Sequence, residues 1–231
     1  YADALKYYDA LKYYEKCLDI RKKVLGTEHE STANTYNNIG GEKVLGKNVY
    51  DNQGKYADAL KYYEKCLAMD EKCIDIREKV LGTEHESTAT TYNIIGGVYD
   101  NQGKYADALE YYEKCLDIRE KVLGTEHEST ATTYNNIGLV YSNQGKYADA
   151  LKYYEKCLDI RKKVLGTEHE FTSISYYNIA DNYESQGDLQ KALEYYEKCL
   201  TAEEIIYGKN HSEPLSTKSK IDELMIKIES N

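Results

Sequence analysis

Residues 129–165 read STATTYNNIGLVYSNQGKYADALKYYEKCLDIRKKVL, and the order of tyrosines, glycines and small residues in this stretch decides the fold. In its second half Tyr147, Ala150, Leu151, Tyr154, Cys157, Leu158 and Ile160 recur at helical spacing. Such spacing lines apolar residues along one face of a helix. Ahead of them, Asn143-Gln144-Gly145-Lys146 supplies a tight turn, because Gly145 can take a positive φ. The stretch therefore predicts two helices, a shorter one from Ser129 to Asn143 and a longer one from Tyr147 to Leu165. Gly166 ends the second helix in the same way. Thr167-Glu168-His169-Glu170 then fits a capping box, threonine followed three residues later by glutamate, with a start at His169 or at a Ser or Thr one turn later as the alternative.

The stretch is one copy of a repeat. Gly103-Lys104-Tyr105-Ala106-Asp107-Ala108-Leu109 returns 42 residues later from Gly145, and a looser copy starts 42 residues after that at Gly187. Leu-Gly-Thr-Glu-His-Glu occurs at 25–30, 81–86, 123–128 and 165–170. A single helix pair cannot bury its apolar face alone, whereas stacked pairs share a continuous core. One long array is the expected organisation. It comprises a second-type helix at 1–25, helix pairs at 30–81, 87–123, 129–165 and 171–207, and a C-terminal helix at 212–231. That last segment carries Pro214 near its start and Leu215, Ile221, Leu224, Met225 and Ile228, an amphipathic pattern suited to capping the last pair.

Composition narrows the function classes. The chain of 231 residues has 40 acidic and 30 basic side chains, a formal net charge of −10. Nucleic acid and anionic membranes attract the opposite balance, so neither is an expected partner. No stretch reaches the ~18 apolar residues of a membrane span. Tyr, at 26 residues, supplies nearly all the aromatic surface beside a single Phe171 and no Trp. Its ring packs while its hydroxyl stays near water, which suits thin cores. Residue 1 falls inside a helix pattern, so the chain is expected to be a piece of a longer repeat array.

Tyr134, Ile137, Gly138, Tyr141, Gly145, Tyr147, Ala150, Tyr154 and Cys157 follow one another in the order of a known signature, as do Tyr92, Ile95, Gly96, Tyr99, Gly103, Tyr105, Ala108, Tyr112 and Cys115. Tyr176, Ile179, Ala180, Tyr183, Gly187, Leu189, Ala192, Tyr196 and Cys199 match it less fully. On these residues the chain resembles the tetratricopeptide repeat family. The 42-residue period, the Asp-Ile-Arg-Glu-Lys-Val-Leu-Gly run and Asn-Asn-Ile-Gly before Gln-Gly-Lys-Tyr look like its kinesin-light-chain type of repeat. Glu30, Glu86, Glu128 and Glu170 stand after the histidine where kinesin light chains carry Pro, so the likeness is to the repeat type. The resemblance implies an all-α fold, a right-handed α-solenoid of antiparallel helix hairpins. It also implies a concave groove lined by the first helix of each pair.

The period is broken near the N-terminus. Gly54 to Gly103 spans seven residues more than the period, through an extra heptad around Ala68 to Ile74. A second extra heptad lies around Glu42 to Asn48, and Asp3 to Tyr8 is duplicated as Asp9 to Tyr14. At about 100° per residue a heptad nearly preserves the apolar face, whereas six residues leave it ~120° away. Each heptad adds ~10 Å, so the lengthened helices are expected to overhang their neighbours. The overhang offers a contact surface for a second copy of the chain; the alternative is a duplicated segment without a role.

Candidate chemistry is sparse. Cys17, Cys66, Cys115, Cys157 and Cys199 fill the small position of the second helix, and Cys73 sits in an inserted heptad. Equivalent sites on stacked repeats are expected to lie beyond the ~7 Å that a disulfide spans. The cysteines therefore read as core in a reducing, cytoplasmic compartment. His29, His85, His127 and His169 recur in the loops, one per loop, which suits capping better than a metal whose ligands must converge to ~2 Å. No catalytic pairing or cofactor motif stands out, so no enzyme, metal or cofactor is expected.

The groove is the expected site. By the family's pattern it is lined by Asn37, Asn38, Asn93, Asn135, Asn136 and Asn178, with Asn101 and Asn143 further along. Asparagine both donates and accepts, so a row of them can hold the backbone of an extended peptide. The alternative is that they satisfy helix ends and water. Ile94 and Tyr177 replace Asn in two repeats and offer an apolar pocket. The expected function is a scaffold binding peptides or protein segments, and the alternative is a self-associating structural module.

Overall fold

The structure is a computed structural model that describes residues 16–27, 29, 31–32, 34–35 and 71–230. All regular structure among these residues is helical. Seven consecutive helices are α1 (Glu86–Asn101), α2 (Tyr105–Val122), α3 (Glu128–Asn143), α4 (Tyr147–Val164), α5 (Glu170–Gln186), α6 (Leu189–Tyr207) and α7 (Ser212–Glu229). Residues 16–25 and 71–81 are helical as well. The chain divides into two compact units, Tyr1–Val122 and Leu123–Asn231.

In the first unit α1 and α2 form a hairpin, closed by a core of Ala89, Cys115 and Ile118 against Tyr92. In the second unit α3 pairs with α4 and α5 with α6, α4 packs on α5, and α7 packs on α6. Its core runs through Ala150, Tyr154, Leu158, Tyr176, Ile179 and Cys199. It ends in Ala180, Ala192, Tyr196, Ile221 and Leu224, where α7 covers the last hairpin. Gly138 permits a close helix approach, since a Cβ there would lie 2.8 Å from the buried Tyr154 ring, as one at Gly96 would from Tyr112. The equivalent tyrosine of the next hairpin, Tyr196, is equally enclosed.

The helix starts correct the expected capping box. Thr167 stays in the turn, and α5 begins at Glu170 with His169 as its N-cap in extended backbone (φ −117°, ψ 144°), as His85 (φ −111°, ψ 142°) and His127 (φ −97°, ψ 145°) cap α1 and α3. His169 Nδ1 accepts the Phe171 N–H at 3.2 Å. His29, His85, His127 and His211 do the same for Ser31, Ser87, Ser129 and Glu213. An imidazole nitrogen thus takes the orphan donor that a serine or aspartate usually takes. The threonine that matters lies inside the helix: Thr172 Oγ1 donates to the Gly166 carbonyl at 2.7 Å, locking the loop from the other side. Gly166 itself has φ 88°, and Gly187, at φ 89°, closes α5.

The cysteines are packed as expected: Cys73, Cys115, Cys157 and Cys199 are fully buried and form no disulfide. One assignment changes. Cys73 contacts Thr91 Oγ1 across 18 residues, as Cys157 contacts Ser175 Oγ across 18. Cys73 therefore holds the repeat's own small position. Cys66, the hexad duplication and the heptad at 42–48 lie outside the described residues, and with them the expected overhang. Among the described residues no helix is long and apolar enough to cross a membrane.

At the C-terminal end Glu184 on α5 receives Lys220 and Lys227 from α7 at 3.2 and 2.7 Å. Burial pushes its carboxyl up, but the hydrogen bonds from Lys227, Lys220 and Tyr196 outweigh it and leave the value below the ordinary 4.5. A lowered folded value stabilises the fold above the unfolded value and loses that contribution as pH falls. Hydrogen exchange of α7 should accelerate as pH drops below about 4.5, after correction for intrinsic rates, and Glu184→Gln should flatten that dependence. The cap is tested separately: His169→Ala should cost about 1 kcal/mol in urea unfolding, with His169→Asn recovering most of it.

Candidate functional site

The eight asparagines expected in a groove have different fates. Asn37 and Asn38 lie outside the described residues. Asn101 and Asn143, at the ends of α1 and α3, are exposed, while Asn93, Asn136 and Asn178 are half-buried. Asn135 is buried, and its Oδ1 accepts Asn178 Nδ2 at 2.8 Å. That bond joins the first helices of two successive hairpins, α3 and α5, so these two side chains also hold the repeat stack together. Asn101 Nδ2 donates to the Gly97 carbonyl at 2.8 Å, within its own helix. Tyr177 is packed edge-on against Tyr196 at 5.3 Å and joins the core.

A second surface was not singled out from the sequence. Tyr153 on α4 stacks on Tyr141 at 5.5 Å and tilts against Tyr134 at 6.2 Å. Tyr111 repeats this with Tyr99 and Tyr92, and Tyr195 with Tyr183 and Tyr176. Lysines lie over each group: Lys114 over Tyr111, Lys156 over Tyr134 and Lys198 over Tyr195, the last at 4.4 Å. Cation–π attraction of this kind holds a lysine against an aromatic face. Burial pushes the Tyr195 phenol up despite the opposing Lys198 ammonium, so the hydroxyl stays a donor. The Tyr-Tyr doublets at 111–112, 153–154 and 195–196 are the signal, since two adjacent helical residues face different neighbours.

The third feature is a buried arginine on the second helix. Arg161, 4% exposed, donates from Nε to Glu128 Oε1 at 3.1 Å and from Nη2 to Thr132 at 3.3 Å. Its Nη1 reaches the Phe171 carbonyl at 3.0 Å and Ser175 Oγ at 2.9 Å. One guanidinium thus links α4 to α3 behind it and α5 ahead. Arg77 binds the Ser87 carbonyl, Thr91 and Asn34, and Arg119 binds Glu86 and Thr90.

Two clefts are formed in the second unit. One of about 350 Å³ lies over α5 and α6, lined by residues that include Tyr176, Glu194, Lys198 and Ile205. The other, of about 370 Å³, lies between α5, α6 and the start of α7. None of the expected asparagines lines either. Among the described residues no three His, Cys, Asp or Glu side chains are grouped to hold a metal ion.

Helix hairpins in series, glycine-closed turns and a core of tyrosine, alanine and cysteine define a helical repeat protein. The chain belongs to the tetratricopeptide repeat family, whose model matches residues 1–72, 67–121, 91–163 and 129–204. No curated protein sequence matches it. Its fold is similar to the nearly identical TPR-like repeats of a kinesin-light-chain candidate from Podosopora anserina, at 23% identity and TM-score 0.65, over 86% of this chain and 87% of that one. It is also similar to BtubC (BKLC) from P. vanneervenii, at 16% identity and TM-score 0.64, over 94% of this chain and 82% of that one. The fold class is accordingly an all-α repeat fold, of the kind that serves as a protein-interaction module.

The arginine can be tested directly. Arg161→Ala removes the cation that Glu128 and Ser175 receive, and losing one partner of a buried ionic cluster costs ~3 kcal/mol or more. Lys163→Ala breaks only the exposed pair with Glu126 and should cost less than ~1 kcal/mol. Urea midpoints of the two variants measure the difference.

Proposed function

We propose that the chain is a non-catalytic scaffold that holds an extended peptide or protein segment along the first helices of its repeats. The observation that carries this reading is the placement of amide side chains on that helix in consecutive hairpins. Asn135 and Asn136 stand on α3 and Asn178 on α5, and the Asn135–Asn178 bond brings two of them side by side. Exposed Asn101 and Asn143 stand at the ends of α1 and α3. An amide row of this sort pairs with a peptide backbone through both its donor and its acceptor. Membership of a repeat family whose members generally bind proteins or peptides supports the same reading. The repeat array through residue 211 and the helix after it then divide the work, the array presenting the row and α7 covering its end. A cytoplasmic setting and the absence of a catalytic role belong to this proposal.

The test is selection of binders from a displayed peptide library, followed by affinity measurement against the wild-type chain and an Asn135→Ala/Asn136→Ala variant. Loss of the amide contacts should weaken binding about tenfold or more at unchanged helicity. Equal affinity for both chains would place the ligand elsewhere.

A further inference from the structure

The buried arginine recurs with the period, at Arg77, Arg119 and Arg161, and then stops: 42 residues after Arg161 stands Glu203. The groups that receive the guanidinium are largely retained at the last repeat. Arg161 is held by Glu128, the Phe171 carbonyl and Ser175. The residues one period later are Glu170, Glu213 and Thr217, a carboxylate, a backbone carbonyl and a hydroxyl. Only Thr132 loses its counterpart, to Ile174.

What fills the arginine's place is a carboxylate and a cleft. Glu203 is 7% exposed, and its Oε1 accepts from Cys199 Sγ at 3.4 Å. Its Oε2 is enclosed and has no hydrogen-bond partner. Glu203 lines the cleft of about 370 Å³ together with Glu170, Ile174, Tyr207, His211 and Glu213. No lysine or arginine lines it. His211 is committed to capping α7 through Nδ1, and its ring stacks on Tyr207 at 4.9 Å, giving the cleft an aromatic wall. Glu170 is exposed, unlike its counterpart Glu128, which the arginine covers.

We propose that this cleft accepts a guanidinium from outside, the arginine side chain of a bound protein segment, in the place that the chain's own arginine fills in the preceding repeats. A buried carboxylate oxygen without a donor is costly, and an incoming cation satisfies it. Guanidinium suits the retained acceptors better than ammonium, because its planar fork donates in several fixed directions at once and lies flat on aromatic rings. The net charge of −10 draws a basic segment toward the chain. This site is separate from the asparagine row and stands whether or not that row binds peptide.

The test is an NMR titration of the whole chain with N-acetylarginine amide, beside the lysine and citrulline analogues. Saturable shifts are expected at Glu170, Glu203, Tyr207 and His211 with the arginine probe, absent with citrulline and weaker with lysine. Glu203→Gln should weaken the arginine response about tenfold. If that variant unfolds, Glu170→Gln, at an exposed position, gives the same readout. Glu203→Arg should rebuild the internal contact, raise the melting temperature and abolish the response. Equal shifts with citrulline or lysine, no saturable shift, or a Glu203→Arg chain that still binds would each overturn the proposal. A concentration-dependent mass abolished by Glu203→Arg would assign the cleft to a second copy of the chain and overturn the partner assignment.

Discussion

A buried guanidinium is the interaction around which the repeat is arranged. Arg161 sits almost wholly out of water, and a charge in that position is tolerated only when its donors are met. Four acceptors meet them, two on α3 and two on α5. Because the fork is rigid, those acceptors fix how far α3 and α5 can slide past α4. Apolar packing between helices is comparatively tolerant of such sliding, since it depends on area and fit rather than on direction. The arginine therefore contributes register more than net stability.

That register sets the sizes of the residues around it. With α3 held at one height, Tyr154 must lie against Gly138, where no Cβ fits beside the ring. The positions one turn before the arginine must be small, and Cys115 and Cys157 occupy them without any exposure. Cys157 also lies 3.6 Å from Ser175, the hydroxyl that receives the arginine, so the thiol packs against the polar cluster instead of joining a disulfide. Burial pushes its thiol up and keeps it neutral there. Tyrosines complete the layer because their rings fill the space beside these small residues while their hydroxyls reach water or a carboxylate, as Tyr196 reaches Glu184 at 3.1 Å.

Features carried by local spacing were legible in the sequence. The helix pairs, the glycine turns and the tyrosine and cysteine core follow from periodicity and from the φ that only glycine takes easily. The caps are half legible: the histidines recur one per loop, whereas the general threonine–glutamate box points to Thr167, which stays in the turn while Thr172 bonds the preceding loop. Glu-Lys-Cys stands at both ends of the inserted heptad, so spacing alone does not assign Cys73, and its contact with Thr91 places it in the repeat. The arginine cluster was not legible. A cation near a helix C-terminus ordinarily reads as a solvated charge facing the dipole, and its burial depends on three helices that sequence does not place. The Asn135–Asn178 bond was hidden for the same reason, its partners lying 43 residues apart.

The end of the second unit shows what happens where the arginine is absent. Within the hairpins the cation belongs to the second helix and the carboxylate to the first, as with Arg161 and Glu128. At α7 the cation comes from the following helix instead: Glu184 on α5 receives Lys220 and Lys227. Lysine suits that edge, because its flexible stem reaches across while its ammonium stays near water. Lys227 is indeed half-exposed, where the repeat's arginines are enclosed. The apolar contacts of Ile221 and Leu224 then seat α7 on α6 without the directional lock that the inner helices share. Lysines thus tie α7 to α5, and the position that an arginine would have filled is left as an acidic cleft nearby.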